Sequence, residues 1–412
     1  MKSYFIFVTM VIEAMGFGII MPVLPDVIRK FVSDETQVAT TFGYFIAVYA
    51  LLQFLFAPIM GRLSDKFGRR PVLLLSLLGT GIDYLFMALA PSLPLLFVGR
   101  FISGFTGASY TVATAYIADI SDDSNRSKNF GLIGAGFGVG FILGPALGGL
   151  VASHGLAVPF LVAAGLNLLN FLFGFFLVPE SLRPELRRDF EIKDLNPFKS
   201  LLILSSMSSI FMLVIAHVMI QLAGQTHPSM WAIYTEARYD WGPKEIGFSL
   251  GMVGVLHILS QGVFTGLFVK WFGENRVARW GMLGESITLA GFGLAASGTM
   301  VYIILAISSI FGAAQPVLQS LISKDISADK QGELQGALMS LMSLTAVANP
   351  LIMTRIFAYT SSKDSSFYVP GSPYFLAGLF GLIAFLAVWR WDKSRRTSVP
   401  TVETKQPRAQ KF

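Results

Sequence analysis

Three carboxylates and one guanidinium stand inside long apolar runs of this chain: Glu13, Asp83, Glu285 and Arg100. An ionisable group at the centre of a membrane helix costs roughly 2.5–3.5 kcal/mol on insertion scales, so each needs a reason to stay. Acids beside an arginine suit proton work, because burial favours a neutral carboxyl while a nearby cation favours the carboxylate. If proton and substrate prefer opposite states of the same acids, one leaves as the other arrives, which is the thermodynamic content of antiport. Each residue also has a plainer reading. Glu13 could bond a neighbouring helix, Arg100 could be an anchor that snorkels to the surface, and His217 reads as packing. Four scattered histidines without cysteine make no metal cluster and no nucleophile set, and no phosphate-cradling Gly-x-x-x-x-Gly-Lys-Ser/Thr loop is present.

The elements that must hold these groups are membrane helices. Hydrophobic residues make up 53% of the 412 residues and charged residues 14%, a membrane composition rather than that of a soluble enzyme. Runs long enough to cross about 30 Å of hydrocarbon fall at 4–25, 39–60, 71–90, 93–118, 130–153 and 157–178. A second six fall at 204–235 (interrupted), 246–269, 279–297, 300–322, 333–358 and 373–391. The chain also repeats itself: Gly61 and Gly68 recur as Gly266 and Gly273, Gly131 as Gly336, and Pro145 as Pro350. A parallel duplication of this kind places a substrate site between two halves near the bilayer midplane. The expected fold is an all-α integral membrane protein with twelve transmembrane helices in two pseudo-symmetric six-helix bundles. The first bundle covers 1–178, a linker 179–203, the second bundle 204–392 and a basic tail 393–412. Most of the 31 Lys and Arg then lie on the side shared by both termini, which makes that side cytoplasmic. The net charge of +6 thus reflects loops and tail rather than a nucleic-acid surface. Glu13 within the first apolar run argues against a cleaved signal peptide.

Across the repeat, Gln53 is answered by His257, two polar groups at equivalent depth. The seventh span is broken within Gln221-Leu222-Ala223-Gly224-Gln225-Thr226-His227-Pro228. Interrupted helices expose backbone groups and line transporter cavities. Gln225, Trp231, Tyr234 and Phe42 could face a flat compound there, or serve as packing.

Two loop and helix motifs carry a family resemblance. The turn from Gly61 to Pro71 holds Asp65, Gly68, Arg69 and Arg70 in the pattern Gly-Arg-Leu-Ser-Asp-Lys-Phe-Gly-Arg-Arg-Pro, and the string resembles the signature of the major facilitator superfamily. The resemblance implies a cytoplasmic latch that joins the halves in the outward-facing state; the second copy carries Lys270 where Asp65 sits. Gly140, Gly144, Pro145, Gly148 and Gly149 in the fifth span resemble the motif of that superfamily's antiporter branch, which favours export.

The similarity narrows to the tetracycline/proton antiporters on Glu13-Ala14-Met15-Gly16, Met21-Pro22-Val23-Leu24-Pro25, Tyr49-Ala50-Leu51-Leu52-Gln53, Asp83-Tyr84, Leu256-His257 and Leu334-Gln335-Gly336. By that resemblance Glu13, Asp83, Glu285, Gln53 and His257 handle protons or substrate; the reading of the residues adds Arg100 to the acids for proton coupling, and Tyr84, Gln225 and Trp231 to Gln53, Asp83 and His257 for the substrate site. It implies no cofactor and no resident metal. A divalent ion arrives with the drug, the proton gradient drives export, and the protein works as a monomer in the bacterial inner membrane with both termini cytoplasmic. Partners are protons, lipid and a small substrate, without ATP or nucleic acid. Glu13 and Glu285 replace Asp of the family pattern, so the site geometry differs from one tuned to a tetracycline chelate. Export of another drug or metabolite, or proton symport of a nutrient, are the alternatives on the same fold.

Overall fold

The computed structural model describes residues 2–107, 109–122, 125–187, 210–327, 330–362 and 368–398. The stretch 188–209, with most of the expected linker and the start of the seventh span, lies outside them, as does the tail beyond Ser398. Among the described residues there are helices and no strands. Nine helices among the described residues are long and apolar enough to cross a membrane. Three further crossings complete twelve, and each is either broken into shorter helices or more charged than those nine. The fourth is split into Leu93–Thr106 and Ser109–Ile120, the seventh into Phe211–Gly224 and Thr226–Tyr239, and the ninth, Glu274–Leu294, carries Glu274, Arg276, Arg279 and Glu285.

The break in the seventh span is where the residues require it. Pro228 lies in the first turn of the helix beginning at Thr226, where its missing N–H costs nothing. The tenth span, expected to be continuous, breaks in the same manner: it ends at Phe311 and resumes at Ala314. Gly312 and Pro316 repeat the spacing of Gly224 and Pro228. The eighth span departs from the expected regular helix through a π-helical turn at Ser260–Phe264, a distortion that concentrates at functional sites. Two smaller differences concern the ends. A short helix, Leu24–Arg29, follows the first span, and the last helix runs from Ser372 to Ser398, so the first residues of the expected tail continue it.

The first span (Lys2–Ile20) and the fifth (Arg126–Val151) lie in close contact because the fifth presents glycine toward it. A methyl group on Gly144 would lie 2.5 Å from the Met15 carbonyl oxygen, and methyls on Gly140 and Gly148 would collide with the carbonyls of Val11 and Ile19. Small residues at such intervals let two backbones meet inside a membrane.

The two halves meet along two seams, the fifth span against the eighth and the second (Glu35–Phe67) against the eleventh (Gln331–Ser361). Both seams close toward the face opposite the termini, here the far face. Gly149 abuts the Pro243 carbonyl, Gly247 the Pro145 carbonyl, and Gly43 the Thr354 hydroxyl. At the far face Arg29 of the first half forms an ion pair with Glu236 of the second. Toward the terminal face the helices separate. Added methyls on Gly131, Gly134, Gly262 and Gly266 would meet nothing within 4 Å. The molecule is therefore sealed at the far face and open at the terminal one.

Candidate functional site

The chemistry-bearing residues of the first half converge on one buried cluster. The third span (Arg69–Leu89) and the fourth run antiparallel, with Asp83 and Arg100 each about 9–10 Å from the turn that joins them. They form a buried ion pair, Asp83 fully enclosed and Arg100 at 5% exposure. Arg100 also contacts the Met87 sulfur at 3.1 Å, and its guanidinium lies 5.2 Å from the ring centroids of both Phe45 and Tyr49 and 5.9 Å from that of Tyr84. Aromatic faces stabilise a desolvated cation. They enclose Arg100 where a snorkelling anchor would have reached for water.

Glu13 joins this cluster. Tyr49 and Tyr84 both flank the Arg100 guanidinium. The Tyr84 hydroxyl lies against Gly16, one turn beyond Glu13, where an added methyl would approach it to 2.6 Å. One carboxyl oxygen of Glu13 is buried with no hydrogen-bond partner among the described residues. A buried acceptor left unmatched is costly. Gln53 stands nearby, its amide donating at 2.8 Å to the Gly107 carbonyl, an acceptor released where the fourth span breaks. A small cavity of about 20 Å³ is lined by Tyr49, Arg100 and residues of the first two spans.

The second half holds the other expected residues apart from this cluster. His257 is exposed, with Nε2 at 2.8 Å from the amide nitrogen of Gln261, at the start of the π turn. The Glu285 carboxylate has no ion pair or hydrogen bond among the described residues, while the adjacent Gly284 packs on the Phe311 ring. Gln225 is half-buried at the break of the seventh span. Trp231 is buried instead in an aromatic group with His227, Phe292 and Tyr374, and donates to the Ser249 hydroxyl at 2.9 Å. The breaks of the seventh and tenth spans meet through Gln221 and Gln315, which are hydrogen-bonded. Asn349 donates to the Leu222 carbonyl at 2.6 Å and the Thr226 hydroxyl at 3.2 Å. Sequence reasoning missed Gln315 and Asn349. The Gly312–Pro316 spacing was the signal for the first; nothing local pointed to the second. His217 is buried, with neither ring nitrogen hydrogen-bonded among the described residues. No group of three or more His, Asp or Glu capable of holding a metal occurs among the described residues.

The charged turn at the terminal face is organised inside the first half. Arg69 pairs with Asp65 at 2.5 Å and with Asp119 at 3.1 Å, and reaches the Ser64 hydroxyl at 2.8 Å. Glu180 accepts the backbone N–H groups of Arg69 and Arg70, capping the third span. Gly68 sits at φ +104°, and a side chain there would strike the Glu180 carboxylate; both facts require glycine. Both ion pairs of Arg69 stay within the first half. The equivalent junction of the second half is bridged with reversed signs, Lys324 to Glu274 at 2.6 Å. Glu274 follows Gly273 as Arg69 follows Gly68. The five small residues of the fifth span divide between two neighbours. Gly140, Gly144 and Gly148 receive the first span and Gly149 faces the eighth across the seam, while Pro145 serves both, its ring against Gly18 and its carbonyl against Gly247.

Comparison with known proteins agrees with this architecture. The sequence profile described as Major Facilitator Superfamily matches residues 6–350 and 216–410. The chain is 41% identical over 390 residues to the tetracycline resistance protein, class C, of Escherichia coli, covering 95% of this chain and 97% of that one. It is 35% identical over 395 residues to the class H protein of Pasteurella multocida, covering 95% and 96%. Among solved structures, a D-xylose–proton symporter superposes with a TM-score of 0.74 at 18% identity, over 95% of this chain and 98% of that one. The human organic anion transporter MFSD10 gives 0.69 at 22% identity, over 94% and 98%. These two likenesses are of fold.

Proposed function

Because this chain belongs to the major facilitator superfamily, a family of transporters rather than enzymes, we propose that it is a proton-coupled antiporter exporting an amphipathic antibiotic of the tetracycline class. The observation that carries the proposal is the buried cluster in which Asp83 is paired with Arg100 and Glu13 keeps an unmatched carboxyl oxygen. Its identity of 35–41% to tetracycline resistance proteins over most of its length supports the choice of drug.

In this reading the terminal face is cytoplasmic, since the basic loops lie there, and the membrane is the bacterial inner membrane. Drug enters from the cytoplasm, as the chelate of a divalent ion, into the space between the halves. Its charge and hydrogen bonds compete for the groups that hold Asp83 and Glu13. With drug bound, the protonated carboxyl gives its proton to the cytoplasmic side; the halves then rock, opening the far face. There the drug leaves and a carboxylate takes up an external proton, which restores the starting state. Binding can shift the two conformations only by its differential affinity for them, and the buried acids supply that difference. The 1–178 and 204–392 bundles are the rocking bodies, and a single chain suffices.

The test is transport in inside-out vesicles. Energisation should drive labelled tetracycline into the lumen, and addition of drug should release lumenal protons. Drug and protons moving in the same direction would give the chain to the symporters.

A further inference from the structure

A surface cavity of about 530 Å³ opens at the terminal ends of the second, third and sixth spans, away from the path between the halves. Its lining includes Phe67, Arg70, Phe176, Leu177, Glu180 and Arg187. Three observations give it a chemistry. Arg70 and Arg187 have no carboxylate partner among the described residues, and the Arg70 Nε is buried with no acceptor. The one carboxylate on the wall, Glu180, is committed elsewhere: besides Arg69 and Arg70 it accepts the N–H groups of Ser181 at 2.9 Å and Leu182 at 3.0 Å. The rim is strongly apolar, with Phe67 at 55%, Phe176 at 76% and Leu177 at 63% exposure. Lys66 adds a further cation 5.7 Å from the Phe67 ring centroid.

Guanidinium groups without a carboxylate partner, Arg70 held in place by donating to the Phe175 carbonyl, stand against an apolar rim where helices leave the hydrocarbon and match a ligand with a phosphate at one end and acyl chains at the other. Basic pockets at the inner membrane surface recognise anionic headgroups in this way, and guanidinium is suited to bidentate phosphate contact. We propose that this cavity binds an anionic phospholipid, its phosphate on Arg70 and Arg187 and its chains over Phe67, Phe176 and Leu177. The lipid neutralises the excess positive charge beside the Gly68 turn and steadies the junction of the second, third and sixth spans. The proposal goes beyond antiport and requires only that these helices cross a bilayer, so it can fail while the transport reading stands.

Native mass spectrometry of the purified full-length protein tests it, titrating phosphatidylglycerol, phosphatidylcholine and glycerol 3-phosphate separately. Phosphatidylglycerol should bind in preference, and Arg187→Gln should weaken it about fivefold, the effect of one basic residue at an anionic surface. That variant alters an exposed side chain, and an unchanged thermal midpoint without lipid shows that it folds. Equal binding of phosphatidylcholine, or an unaltered affinity in Arg187→Gln, would overturn the proposal. Competition by glycerol 3-phosphate at the same concentration would assign the cavity to a soluble phosphate. Phosphatidylglycerol binding that appears only after Asp189, Glu191 and Asp194 are neutralised would give it to the linker, and each of these outcomes rejects the lipid.

Discussion

Arg29, just beyond the first span, holds Glu236, at the far end of the seventh, and so ties the two halves together where they close. The same guanidinium engages Asp26 at 3.0 Å and Glu35 at 2.9 Å. Burial works against its charge, but the hydrogen bonds and charges of Glu35 and Glu236 outweigh burial and hold the guanidinium above its ordinary range. Since the chain has no cysteine, a pair introduced as Arg29→Cys and Glu236→Cys would be the sole thiols. A reversible bis-thiosulfonate linker across them should stop transport, and dithiothreitol should restore it. Full transport in the linked protein would show that the far face need not open.

The Asp83–Arg100 pair should behave as a unit. Removing one partner of a buried pair strands the other charge and costs about 3–5 kcal/mol, whereas removing both is far cheaper. Asp83→Asn and Arg100→Gln should each lower the thermal midpoint and abolish proton-driven export, and the double variant should be more stable than the sum of the singles. Simple additivity of the three midpoints would mean that the residues are not coupled.

Glycines on the two faces of the fifth span should respond differently to substitution. Gly144→Ala forces a methyl against the Met15 carbonyl and should cost about 1–3 kcal/mol, as overpacking does. Gly131→Ala meets open space and should be neutral or stabilising by about 0.4–1 kcal/mol. Thermal unfolding in detergent distinguishes the two, and equal losses would contradict the packing described.

Asp34 starts the second span by accepting the Thr36 amide at 3.0 Å and hydroxyl at 2.6 Å. The Thr36 side-chain hydrogen bond, then its amide, hold the Asp34 carboxyl below the ordinary range. A carboxylate depressed in the folded state contributes stability above its unfolded pKa of about 3.9 and loses it as the pH falls through the folded value. Asp34→Ala should therefore lower the thermal midpoint at pH 7 more than at pH 3. An equal drop at both pH values would remove the charge from the explanation.

The depth of the buried acids and the duplication were legible in the residues, because membrane helices announce themselves by length and by what they exclude. The pairing of Asp83 with Arg100 was not stated by any local pattern. It follows from the hairpin of two antiparallel spans, which brings residues equally distant from one turn to one depth. The partner of Gln53 was equally illegible: its amide donates to the Gly107 carbonyl, an acceptor that exists only because the fourth span breaks there.

What the sequence alone determined is the all-helical membrane fold, its repeat, the glycine and charge motifs, and the intramembrane acids that call for a proton. These are local or periodic properties, readable from hydropathy and spacing. Tertiary structure alone decided which face is sealed, that Arg29 meets Glu236, and that the Asp65–Arg69 turn is bound within its own half. Those depend on how two similar bundles lean against each other, and long-range contacts between equivalent surfaces leave no period in the chain. The reversal of Arg69–Asp119 into Glu274–Lys324 has the same origin: either order of charges satisfies the junction, and only the folded chain shows which residues meet there.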